Sequence, residues 1–317
     1  MDSDLKHGYV DTEPGVRLHY VEQGAGPLVV LLHGFPEFWF SWRRQLPALA
    51  AAGYRAVALD QRGYNLSSKP RGLEYYDVER LARDVAQTIE HLGQPQAAVE
   101  HLGQRQAASE HLGEQQAAVE HLGQRQAAVE HLGHPLAAVV GHDWGGGIAW
   151  AFAMRYPERL DKLAIINAPH PLTFVRHLKT LDQLTKSWYM FFFQLPWLPE
   201  AALRAGNFAA LPRVLRAPEY LEALSRPGAL TATINYYRAL FRRGLPTLRA
   251  ASRTPIQAPV LIIWGQRDPY LGPDLAEPPA RLVPNRRLER LADVSHWPHL
   301  EQPERVNDLL TGFFKGG

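Results

Sequence analysis

Cysteine is absent from this 317-residue chain, which excludes disulfides, thiolate nucleophiles and cysteine-ligated metals and leaves the redox compartment open. Long hydrophobic runs are missing too. No stretch approaches the roughly 20 apolar residues that span a bilayer, and the opening MDSDLKHGYVDTEPG is charged where a signal peptide has an apolar core. The expectation is a cytoplasmic protein with no membrane contact. Nor is there a block of like charge: 34 Lys and Arg stand against 32 Asp and Glu, a formal +2. That balance argues against nucleic acid and anionic membrane surfaces as partners, and for a small molecule. What is present is apolar material, 46% of residues, enough for one large domain carrying a sizeable insertion.

Short β-rich runs alternate with helical patterns. PLVVLLHG from Pro27, YRAVALD from Tyr54, LAAVVGHD from Leu136, KLAIINAP from Lys162 and PVLIIWG from Pro259 read as buried strands. Between them Ser41 to Ala52, Asp77 to Leu92, Gly147 to Tyr156 and Pro303 to Phe314 carry apolar residues near a 3.6 period. The alternation predicts an α/β fold, a mostly parallel sheet flanked by helices. From about His170 to Ala251 the pattern becomes aromatic and Leu-rich, broken by Pro196, Pro199, Pro212, Pro218 and Pro227. This predicts an inserted helical cap over 170–251, with the core formed by 1–169 and 252–317.

A tandem decapeptide, EHLGQPQAAV and its four relatives, begins at Glu90, Glu100, Glu110, Glu120 and Glu130. In the last unit Gly133 ends a helix, and His134 and Pro135 turn the chain into the strand LAAVVGHD, so the repeat copies a helix-to-strand junction. The middle units lack proline and suit a helical or partly mobile protrusion, with a cost of about 1 kcal/mol for each interior glycine. A ten-residue period argues against a stacked solenoid, whose repeats run to roughly 20–50 residues. The array feeds the amino end of a strand, whereas ligands in open α/β sheets bind at carboxyl ends, so it is expected opposite the active site. Its histidines, His91, His101, His111, His121 and His131, would turn by about 80° per unit around a helix of ~3.6 residues per turn, which argues against a shared metal.

The strongest chemical signal is Gly141-His142-Asp143-Trp144-Gly145-Gly146, set between a buried strand and an apolar helix. It has the form of a nucleophile elbow, a sharp turn that needs small neighbours and places its central residue at a helix amino terminus. Taken alone, Asp143 reads equally as a helix cap. Its company changes that reading. Asp268 follows the strand PVLIIWG, and His296 follows the next strand, giving the chain order nucleophile, acid, histidine. The loop His33-Gly34-Phe35-Pro36 follows the first long apolar strand, where this fold carries its oxyanion loop. His33, His142 and His299 read as structural, with His142 pointing away from the nucleophile. Glu37 and Asp60 lie at strand ends near the site, within reach of solvent or ligand, and fit turn or capping roles better, and Gly63, Tyr64 and Ser67 read as turn chemistry.

Together HGFPE, DQRGYNLSSKP, GHDWGG, WGQRD and SHW resemble the epoxide hydrolase branch of the α/β-hydrolases over nearly the whole chain, the decapeptide array excepted. The resemblance implies two cap tyrosines facing the nucleophile. Matching SWYMFFFQLPWLPE and INYYRALFR to the family's cap motifs selects Tyr189 and Tyr237 and leaves Tyr236 as a packing neighbour. Asp143 would then form an alkyl-enzyme ester while the two phenols, neutral at pH 7 because their pKa is about 10, protonate the ring oxygen. His296, oriented by Asp268, would activate the water that hydrolyses the ester. Backbone N–H groups of Phe35 and Trp144 would hold the oxyanion. His33, Pro36, Trp39, Trp188 and Phe192 are expected in the substrate pocket, with Phe35, Phe193 and Trp197 adding to an apolar lining. The reaction requires no metal or organic cofactor; its partners are a small apolar epoxide and water, and oligomeric state is left open. Two other readings stand beside it. A haloalkane or haloacetate dehalogenase uses the same aspartate but needs N–H donors for a halide, and a non-catalytic binding protein could keep the fold and use the array as an interaction arm.

Overall fold

The structure, a computed structural model, describes residues 4–93, 135–244 and 253–316. Strands β1 (Lys6–Glu13) and β2 (Val16–Gln23) open the chain, followed by β3 (Leu28–Leu32), helix α1 (Gln45–Ala51), β4 (Arg55–Leu59) and α2 (Val78–Leu92). Beyond the decapeptide array come β5 (Ala137–His142), α3 (Trp144–Arg155) and β6 (Leu160–Ile166). A helical stretch then runs through α4 (Pro171–His177), α5 (Leu181–Lys186), α6 (Trp188–Phe192), α7 (Leu198–Phe208), α8 (Pro218–Ser225) and α9 (Ala229–Ala239). The chain closes with β7 (Val260–Gly265), β8 (Arg286–Leu291), α10 (Pro298–Glu301) and α11 (Pro303–Lys315).

The eight strands form one sheet in the order β1-β2-β4-β3-β5-β6-β7-β8. β2 runs antiparallel to β1 and β4, and the remaining pairs are parallel. The continuous apolar runs follow from covering both faces of the parallel part. Val30, Leu32, Val57, Leu59, Val139 and Ile165 pack with α2 and α3, while Val29, Leu31, Ala56, Ala58, Val140 and Ile166 pack with α1 and α11. Each fully buried Val, Leu or Ile among them contributes about 1.5–3 kcal/mol, so these two layers dominate the driving force. The antiparallel pair β1–β2 is not foreseen among the runs above, because its polar and apolar residues alternate along one half-buried edge.

Among the described residues the stretch between β6 and β7 holds helices and no strand; residues 245–251 of the expected helical insertion lie outside the described residues. These helices meet loops at the carboxyl ends of the strands. Tyr236 donates its hydroxyl to the Arg62 carbonyl at 2.6 Å, Tyr220 pairs with the Ser41 hydroxyl at 2.9 Å, and Gln183 donates to the Tyr270 carbonyl at 2.8 Å.

The decapeptide array, with its expected protrusion, lies outside the described residues except for its two ends. Those ends touch: a Cβ on Gly93, the residue that ends α2, would overlap the Pro135 ring. The chain therefore leaves and re-enters at one point, before the amino end of β5, while Asp143 follows the carboxyl end of the same strand.

Candidate active site

Asp143 sits at φ 49° and ψ −118°, between β5 and α3. Such a backbone costs an L-residue roughly 1–3 kcal/mol and persists only where its surroundings hold it. Gly145 lets α3 press against β3, since a Cβ there would overlap the Leu32 carbonyl. A Cβ on Gly34 would likewise overlap the Asp143 side chain, so the loop after β3 can approach the carboxylate closely only with glycine there. The approach brings the Phe35 N–H onto Asp143 Oδ1 at 2.8 Å. Trp144 opens α3 directly behind, and its ring meets Tyr236 and Tyr237 edge-on at 5.4 and 5.0 Å between centroids.

Three distant segments converge on this elbow because adjacent parallel strands release their loops at the same edge. His296 Nε2 lies 3.5 Å from Asp143 Oδ2, and His296 Nδ1 lies 2.6 Å from Asp268 Oδ2. Asp268 is fully engaged: Oδ2 also accepts from Asn167 at 2.7 Å, and Oδ1 accepts the N–H groups of Tyr270 and Leu271 at 2.8 and 2.9 Å. Burial opposes its charge, but the His296 charge and these donors hold its carboxyl below the usual range. For His296, burial pulls the other way from its partners, and the charge of Asp268 with hydrogen bonds to both carboxylates pushes its pKa up to about 10. The resting imidazole is thus protonated between two carboxylates.

Tyr189 and Tyr237 enter from α6 and α9 with ring centroids 5.8 Å apart, in an apolar cavity of about 100 Å³ that Asp143 and Trp144 also line. Burial, reinforced by the negative charge of Asp143, holds both phenols well above their ordinary pKa, so they stay protonated beside the carboxylate. Tyr236, one residue away, turns to the core side and packs against Tyr64 and Tyr76.

The expected pocket residues fall elsewhere. His33 is buried with Nδ1 against the Gly34 carbonyl at 2.9 Å and Nε2 accepting the Gln61 N–H at 3.1 Å, so hydrogen bonding to its own loop turns it from the cavity. Pro36 is buried in the loop, and Trp39 packs against His7 and Phe38, its N–H on Asp60. Trp188 is 64% exposed, because its neighbours Tyr189 and Met190 take the inward positions of the short helix α6; Phe192 leans on Trp188 and Phe193. None of these five lines the cavity, and Trp197 is exposed as well. Pro171, Phe174, Met190, Leu240 and Leu271 form its apolar wall instead.

Asn167 carries no motif, yet it bridges Gly265 and Asp268, its Oδ1 accepting the Gly265 N–H at 2.8 Å. The one signal is a polar residue ending the apolar run of β6. Glu37 is fully buried rather than near solvent: it meets His142 Nδ1 at 2.9 Å and His299 Nε2 at 3.1 Å and accepts from the Trp297 indole at 3.2 Å. His142 Nε2 reaches the His296 carbonyl at 2.8 Å, on the side of the elbow away from the cavity. Burial works against the Glu37 charge, and the flanking histidines keep it well below its ordinary pKa; burial drops His299 to about 4. One carboxylate or ring atom from each of Glu37, His142 and His299 lies within 4.8 Å of the others. Asp60 is buried too, holding Trp39, His19 and Asn65, and the turn through Gly63, Tyr64 and Ser67 is tied by Tyr64 N–H to Gln61 O and Ser67 N–H to Tyr64 O.

The architecture, an elbow strand followed by loops bearing an acid and a histidine, is that of an α/β-hydrolase, and comparison agrees. A model of the alpha/beta hydrolase family matches residues 29–309. The chain is 36% identical to the AB hydrolase superfamily protein YfhM of Bacillus subtilis, over 98% of each chain. It is 33% identical to epoxide hydrolase 4 of Homo sapiens, over 98% of this chain and 79% of that one. Among solved structures, a variant of an epoxide hydrolase from Bacillus megaterium superposes with a TM-score of 0.74 at 32% identity, covering 97% of this chain and all of the other. The chain belongs to the α/β-hydrolase family and, within it, to the epoxide hydrolases.

Proposed function

We propose that the enzyme converts apolar epoxides to vicinal diols through an ester on Asp143. The supporting observation is that the Asp143 carboxylate shares one apolar cavity with two phenols and lies 3.5 Å from the His296 imidazole. In the first step Asp143 Oδ2 attacks an epoxide carbon; the ring C–O bond breaks, and Tyr189 or Tyr237 gives its proton to the departing oxygen. The other oxygen, Oδ1, becomes the ester carbonyl and keeps the Phe35 N–H, joined by that of Trp144 as the tetrahedral oxyanion forms. Esterification removes the Asp143 charge that helps to raise the His296 pKa. The imidazole can then pass its proton to the phenolate left by the first step and serve as base, taking a proton from a water that attacks the Asp143 carbonyl carbon. The Cγ–O bond to substrate breaks as the proton of the added hydroxyl passes to the departing oxygen, so the diol leaves and Asp143 is again a carboxylate, now holding one oxygen from that water. Asp268 holds the ring and its charge throughout. Phenols as donors favour an epoxide over a halide, which leaves without a proton.

The test is single turnover of His296→Gln with styrene oxide, read by intact mass. An adduct of one substrate mass on the peptide holding Asp143 is the expected result. No adduct, together with no diol from wild type, overturns the proposal, and the same assay with a haloalkane then separates a dehalogenase from a non-catalytic protein.

A further inference from the structure

The helical stretch turns an apolar ridge to solvent. Leu181 and Leu184 of α5, Trp188 and Phe191 of α6 and Leu195 just beyond it are spaced by three and four residues along this stretch. All are exposed, Leu181 at 81%, and Trp197 continues the ridge at 72%. A contiguous patch of this kind on a water-facing surface calls for an apolar partner.

Charge identifies that partner. The whole-chain balance of +2, which argues against an anionic surface, averages two unlike parts. Between Pro171 and Gly244 ten Lys and Arg stand against four Asp and Glu. Three of those four acids are neutralised in pairs, Asp182 with Lys186, Glu200 with Arg238 and Glu222 with Arg226. Arg176, Lys179 and Arg243 are exposed and pair with no carboxylate among the described residues. They flank the ridge: Arg176 and Lys179 precede Leu181, and Arg243 follows Phe241 and Arg242, which touch Phe191 and the Gln194 carbonyl. Exposed Trp, Phe and Leu rimmed by cations match the interface of an anionic bilayer, where apolar side chains enter the headgroup boundary and cations meet phosphate.

We infer that this ridge docks on an anionic lipid surface. The geometry gives the contact a use, which rests on the proposed epoxide chemistry. Tyr189 and Met190 of α6 line the cavity, while Trp188 and Phe191 of the same helix face outward. A substrate dissolved in the bilayer would thus meet the enzyme one helix thickness from Asp143.

Vesicle co-sedimentation of the whole protein tests the docking without any substrate. Wild type should sediment with vesicles of phosphatidylcholine and phosphatidylglycerol, far less with phosphatidylcholine alone, and less as salt rises. The exposed set Arg176→Glu, Lys179→Glu and Arg243→Glu should weaken sedimentation at least about tenfold. Leu181→Ser with Leu184→Ser and Phe191→Ser should do the same, and both sets should leave turnover of dissolved styrene oxide unchanged. No sedimentation of wild type, or sedimentation indifferent to both sets, overturns the inference. So does a wild-type dimer in light scattering that the ridge set makes monomeric without any vesicle binding, for then a second copy covers the ridge. Vesicle binding by a protein that turns over no epoxide would sustain the docking and reject the reaction.

Discussion

Two buried imidazole–aspartate pairs in this molecule are nearly identical as pairs. His296 Nδ1 lies 2.6 Å from Asp268 Oδ2, and His19 Nδ1 lies 2.7 Å from Asp60 Oδ2. Their surroundings differ at the opposite ring nitrogen. His296 Nε2 faces Asp143, which lines the cavity, whereas His19 Nε2 meets Nδ1 of the exposed His7 at 2.9 Å, on the antiparallel edge of the sheet. Asp60 spends its other contacts on Trp39 and Asn65, and Ser67 ties the same loop to His19. One pair lies at the carboxyl ends of parallel strands with room beside it; the other pins a loop to an edge strand. A histidine–carboxylate hydrogen bond is therefore no mark of catalysis until something reactive lies within reach of the second nitrogen.

The sharpest way to break that contrast is to treat both aspartates alike. Asp268→Asn should lower diol formation by about 10⁴-fold, as loss of a triad aspartate does when the ring tautomer is lost, while ester still accumulates on Asp143 in single-turnover mass spectra. Asp60→Asn should leave turnover per folded molecule unchanged and cost about 1–3 kcal/mol of stability, since it disturbs a buried charged hydrogen-bond network; urea unfolding followed by fluorescence measures it. Equal turnover losses in the two variants would erase the distinction.

A pH series sharpens it further. The His296 pKa is raised from 6.5 to about 10, so its contribution to stability is complete below pH 6.5 and is lost as pH rises through about 10. Wild type should lose thermal stability across that interval, and His296→Gln should lack this part of the slope; parallel curves would contradict the protonated resting state. The smallest effect is expected at the array. Because Gly93 and Pro135 touch, excising Gln94 to Gly133 joins ends already together, so turnover should stay within about twofold, loops being tolerant of length. A larger loss would give the array a role in catalysis.

Much of the framework was legible before any coordinates. The five apolar runs became β3 to β7 because strands covered on both faces leave no room for alternation, and Asp143 and Asp268 stand out because each follows such a run, with His296 in the loop after the next strand. The edge pair β1–β2 was less visible, since alternating residues such as those of VRLHYVEQ are weak evidence singly. Asn167 and Glu37 were misjudged or missed for another reason: their partners lie 98 to 262 positions away, and a hydrogen bond across that distance leaves no local pattern. Trp188 and Tyr189 are the clearest case. Both are aromatic neighbours in one motif, and only the rotation of α6 sends the phenol into the cavity and the indole to solvent.

By itself, then, the sequence determined the order of strands and helices and the chemical identity of the elbow, acid and histidine, because these depend on local periodicity and on residues beside strand ends. The tertiary structure decided the width and lining of the cavity, which histidine–carboxylate pair lies beside Asp143, and which aromatics of the helical stretch face the cavity or solvent. Those depend on how helices pack across the carboxyl edge of the sheet, a sum of many weak contacts between segments that no local pattern encodes.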